Sequence, residues 1–134
     1  AAIGTYFRSL GTAYQIANDI LNFRALDGAA NCGSDLARRA PNAVIVLYRQ
    51  NLTSVQANAF DEWFLSDDKA ALCVWQQQIL KSDAMALSAH HMHKTLDQTV
   101  RYAQVLPAGL VEVIAPVQAL LKQLCLKSVA PAKC

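Results

Sequence analysis

Apolar residues return every three or four positions along almost the whole of this chain, and that spacing admits helices and little else. Ile3, Phe7, Leu10, Tyr14, Ala17 and Leu21 lay the first stripe, which predicts an amphipathic helix to about Phe23. Asp27-Gly28 and Asn31-Cys32-Gly33-Ser34 supply turn chemistry after it. Pro41 can open a second helix, whose run Ala43 to Tyr48 is apolar on every side and so central. Thr53 and Gln56 have capping-box spacing, which predicts a helix from about Ser54 to Leu65. Ser66 or Asp67 can cap a further helix from about Asp68 to Lys81, with Leu72, Trp75, Ile79 and Leu80 inward. Ser82 or Asp83 starts a long segment to Leu106, which Pro107 ends. Leu110, Val113, Ile114, Val117, Leu120, Leu121 and Leu124 form the last stripe, and Pro116 predicts a kink or break within it. The tail Ser128 to Cys134 carries Pro131 and no period, and is expected to fray. The reading is one all-α domain over residues 1–134, a helical bundle.

The first helix carries a second signal. Gln15, Asn18, Asp19 and Asn22 stand at i, i+3, i+4 and i+7, so four oxygen-bearing side chains share one face. Such a face can hold a hydrated cation or one bound to phosphate.

Composition narrows the partners. Charged residues make up only 16% and hydrophobic ones 54%, an apolar balance that points to helix faces covered by a companion chain or by a second copy. Twelve basic and ten acidic residues give a net charge of +2, scattered, with Arg38-Arg39 the one adjacent basic pair, so no nucleic-acid-binding stripe exists. Uninterrupted apolar runs such as Ala43 to Tyr48 are far short of the ~20 residues of a membrane span. Cys32, Cys73, Cys125 and Cys134 lack ligand spacing and are read as buried or idle thiols. No charged leader precedes an apolar core, so a cytoplasmic chain is expected; Asn51-Leu52-Thr53, formally a glycosylation sequon, then goes unused.

The wording from Leu10-Gly11 through Gln15-Ile16, Asn18-Asp19-Ile20-Leu21 and Asn22-Phe23 resembles the second aspartate-rich region of the trans-isoprenyl diphosphate synthases, the polyprenyl synthetase family. Ser34-Asp35-Leu36-Ala37-Arg38-Arg39-Ala40-Pro41 is similar to the segment that follows it there, and His93 to Pro107 to the family's helix closing in Leu-Pro. The resemblance implies the C-terminal half of the isoprenoid synthase fold, in a protein that condenses an allylic diphosphate with isopentenyl diphosphate. It assigns Mg²⁺ to Asn18, Asp19 and Asn22, catalysis to Gln15 and Asp19, and contact with the isoprenoid diphosphate to Tyr14, Arg38 and Arg39. Two departures weaken that activity. Asn18 and Asn22 replace the outer acids of Asp-Asp-x-x-Asp, and no first aspartate-rich motif occurs in the sequence. Asp19 alone holds Mg²⁺ poorly, because that ion is usually bound by one or two carboxylates plus substrate phosphate. A transferase needing a missing half, a non-catalytic modifier subunit of a complete synthase, and a plain helical interaction module are therefore the three expectations.

Within His90-His91-Met92-His93, His90 and His93 at i, i+3 and His93 and Asp97 at i, i+4 could make a three-ligand face, but Lys94 adds positive charge beside it and no fourth ligand has metal spacing. Ser34, Ser88 and the cysteines lack any triad context, so no hydrolase is indicated.

Overall fold

A computed structural model describes residues 2–24 and 34–129. These are all-helical, with no strand among them: α1 (Ala2–Arg24), α2 (Ser34–Ala37), α3 (Ala43–Gln50), α4 (Ser54–Phe64), α5 (Leu72–Lys81), α6 (Ala84–Ala103) and α7 (Ala108–Ser128). The expected turns at Asp27-Gly28 and Asn31-Cys32-Gly33, and the tail beyond Val129, lie outside the described residues. Ser128 itself closes α7, buried, with its hydroxyl donating to the Cys125 carbonyl at 2.6 Å.

The chain divides into two compact units. One takes the described residues to Asn18 and those from Ala89 onward; the other takes Asp19–Ser88. In the first, Tyr6, Leu10, Ala103, Leu106 and Ile114 form a core, with Leu110, Val111 and Leu121 packed around it. The Tyr6 phenol donates to Gln118 Oε1 at 2.7 Å, and burial raises its pKa. Ser9 joins the inner face of α6, its hydroxyl 2.6 Å from that of Thr99, which itself donates to the Thr95 carbonyl. The α1 stripe is rotated from its expected line. Tyr6, Leu10, Ala13, Ala17 and Ile20 are buried, whereas Ile3 and Phe7 are exposed.

In the second unit α3 packs against α4 and α5, and α2 against α5. An aromatic cluster fills this unit. Phe60 meets Tyr48 at 5.6 Å, Phe64 at 5.5 Å and Trp75 at 5.3 Å between ring centroids, and Trp63 stacks on Trp75 at 5.6 Å. Edge-to-face and offset pairs of this kind each add about 1 kcal/mol beyond the area they bury. The Thr53–Gln56 capping box forms as its spacing predicts.

Three boundaries differ from expectation, each for a local reason. α3 starts at Ala43 because Asn42 caps it, its side chain accepting from the Val44 amide, so Pro41 stays outside the helix. α5 starts at Leu72 rather than Asp68. The Asp68 carbonyl is taken by Trp63 Nε1 at 3.0 Å and Arg39 Nη2 at 2.8 Å, and the Leu72 amide turns to Lys69 instead. α6 stops at Ala103, and Gln104, Val105 and Leu106 close it with tight bonds to the residues three before them, as the restriction ahead of Pro107 requires.

α7 runs unbroken through Pro116, so of the expected kink or break the break does not occur. By length and composition this one helix among the described residues could cross a membrane. It contains no long uninterrupted apolar run, because Glu112, Gln118, Lys122, Gln123 and Lys127 are spaced through it.

Candidate functional site

The polar row of α1 separates along its length. Gln15 is exposed and Asn18 half-buried, both in the first unit, whereas Asp19 and Asn22 in the second are 7% exposed each. Buried polar groups require partners, and these have them. Asp19 Oδ2 accepts from the backbone amide of Ala43 at 2.8 Å, at the first residue of α3, where a carboxylate also meets the positive end of the helix dipole. Asn22 Oδ1 accepts from the backbone amide of Asp35 at 3.1 Å, in the first turn of α2.

Asn42 completes the arrangement. It is 2% exposed; its Nδ2 donates to the Asp19 carbonyl at 3.3 Å and to Asp35 Oδ2 at 3.0 Å, while its Oδ1 accepts from Val44 at 2.8 Å. Asp35 Oδ1 in turn accepts from Arg38 Nη2 at 2.8 Å. Asp19, Asn22, Asp35 and Asn42 thus form one network tying the last turns of α1 to the starts of α2 and α3. The sequence reading passed over Asn42. An Asn directly before an apolar helical run is nonetheless an N-cap signal.

Arg38 and Arg39 point to different duties. Arg38 is largely exposed beyond its pair with Asp35. Arg39 sits at φ 55°, the left-handed position after α2: its amide bonds to the Leu36 carbonyl at 3.1 Å, and the Ala40 amide bonds to the Asp35 carbonyl at 2.8 Å. This is the helix-closing geometry in which glycine is usual. Its guanidinium lies 3.8 Å over the Trp63 ring and donates to the carbonyls of Leu36, Ala37 and Asp68, with Nε buried and unpartnered. Carbonyl dipoles and a π face, rather than a carboxylate, hold this charge.

Two clefts flank these residues in the second unit. One, of about 400 Å³, is lined by Pro41, Ile45, Val46, Phe60 and Phe64, with Arg39 and Arg49 also on its wall. Arg49 is engaged there in a two-bond fork with Asp61, at 3.2 and 2.8 Å. The other, about 380 Å³, gathers Arg38, Arg39 and Lys69 beside Asp67. Tyr14 is half-buried in the first unit.

Among the described residues, no three His, Cys, Asp or Glu side chains gather as metal ligands. His90, His91 and His93 are all exposed along α6. Cys73 is an exposed free thiol and Cys125 a buried one, whose pKa burial raises; Cys32 and Cys134 lie outside the described residues.

No protein-family model, curated protein or solved structure matches this chain.

Proposed function

We propose that this chain is a non-catalytic helical protein, a partner or modifier subunit in the sense of the second expectation, in which the row resembling an aspartate-rich region serves as a folding joint. The observation that carries this reading is the 2.8 Å bond from the Ala43 amide to the Asp19 carboxylate. The one carboxylate of the row is spent on a helix start. Asn22, which would be its fellow ligand, is spent on another.

On this reading the donor set does not fit Mg²⁺. That ion needs near-octahedral oxygen geometry and dehydrates reluctantly, and an amide oxygen already accepting from a backbone N–H, as Asn22 Oδ1 does, is a poor replacement for a carboxylate. The substitution of Asn at positions 18 and 22 supports the same view from charge alone. Exposed apolar side chains on α7 support association as the chain's work.

The test is a condensation assay with labelled isopentenyl diphosphate, several allylic diphosphates and Mg²⁺. No incorporation is expected from the chain alone, and Asn18→Asp with Asn22→Asp is expected to create no Mg²⁺ binding detectable by calorimetry. Incorporation by the unmodified chain overturns the reading.

A further inference from the structure

α7 carries two apolar stripes, and only one of them is used within its unit. Ile114 and Cys125 are buried, with Leu110, Val111 and Leu121 packed about the core of the first unit. Val113, Val117, Leu120 and Leu124 face outward instead, 72%, 50%, 57% and 37% exposed. Their spacing of four, three and four is the seam of a coiled-coil pair, in which such positions alternate to meet a facing helix. At 21 residues α7 is about 31 Å long, room for the full seam.

We propose that the occupant of this seam is α7 of a second copy of the same chain, packed antiparallel about a two-fold axis. This pairing rests on the reading above that association is the chain's work. Antiparallel pairing sets Val113 against the second copy's Leu124 and Val117 against its Leu120, so each layer joins a Val to a Leu and the patch is complementary to itself.

Charge selects the same orientation. Glu112 is the one acidic residue of α7, near its start, and Lys122 and Lys127 lie toward its end; all three are exposed. In the antiparallel register Lys127 of each copy comes opposite the Glu112 region of the other, at both ends of the seam. A parallel pair would instead set Lys127 against Lys127. Antiparallel helix dipoles add to the preference. A lipid surface fits the seam less well, because α7 has no Trp or Tyr to sit at a headgroup boundary.

The experiment is sedimentation equilibrium on the full chain from about 10 µM to about 1 mM, a range suited to a short helix pair. The mass is expected to rise from one chain to two. Glu112→Lys or Lys127→Glu alone is expected to weaken the dimer about tenfold, and the two changes together to return it to within about threefold of the original. Both positions are exposed, so circular dichroism melts at concentrations where the chain is single should stay unchanged and separate weakened pairing from unfolding. A single-chain mass throughout, singles without effect, a double variant that does not recover, or flotation of a monomeric chain with phosphatidylcholine vesicles overturns the proposal. Loss of the dimer with a silent condensation assay removes this partner only; incorporation by a chain that still dimerises removes the non-catalytic reading only.

Discussion

Asp19 and Arg39 are charged residues that each hydrogen-bond to backbone groups remote in sequence. A carboxylate at the start of α3 offsets amides the helix leaves unpaired, and a guanidinium over Trp63 bonds three carbonyls. Arg39 does this from a left-handed backbone, which costs a residue with a Cβ about 1 kcal/mol. Two terms therefore oppose each other at one position, and substitution separates them. Arg39→Ala loses the stack and the hydrogen bonds while keeping the strain, and should lower unfolding free energy by about 1–3 kcal/mol in urea titration. Arg39→Gly loses the same contacts but relaxes the backbone, and should come out about 1 kcal/mol more stable than the alanine variant. Equal stability of the two would mean the strain is not felt.

Between elements, α3 and α4 are joined at the surface by the Arg49–Asp61 fork. Hydrogen bonding from Arg49 is the main influence on the Asp61 carboxyl; desolvation opposes it and the guanidinium charge assists, and the outcome is a lowered pKa. The sign follows from linkage. A carboxyl lowered in the folded state contributes stability above its unfolded pKa, and loses that contribution as pH falls through the lowered value. A carboxyl-carbon NMR titration should find Asp61 below the ordinary aspartate range in the native chain and back within it in Arg49→Ala. An unmoved titration would mean the fork does not persist in solution.

Elements also show where sequence legibility ends. The Thr53–Gln56 box was readable because a cap is a local event between residues three apart. The start of α5 was not, because the bonds that unwind it come from Arg39, 29 positions before Asp68, and from Trp63. α7 shows a third case: Ile114 and Val113 have the same period and the same chemistry, and only tertiary contact decides which stripe goes inward.

For the molecule as a whole, one pattern in the first helix admits two uses. Four oxygen side chains on one face are equally legible as a cation site or as caps for other helices, since both need acceptors at helical spacing. What tells them apart is where the facing amides lie, and those belong to Asp35 and Ala43, residues far along the chain whose approach no spacing in α1 encodes. The apolar excess in the composition was legible as a surface needing cover; the helix that carries it was not.

The most direct test is the thermal midpoint of the native chain and of Asp19→Ala, each with and without millimolar Mg²⁺. A capping carboxylate predicts that the alanine variant loses about 1–2 kcal/mol, and that Mg²⁺ moves neither midpoint. A rise of several degrees with Mg²⁺ in the native chain, abolished in Asp19→Ala, is the signature of an ion bound to the folded state through that carboxylate, and it would contradict the account.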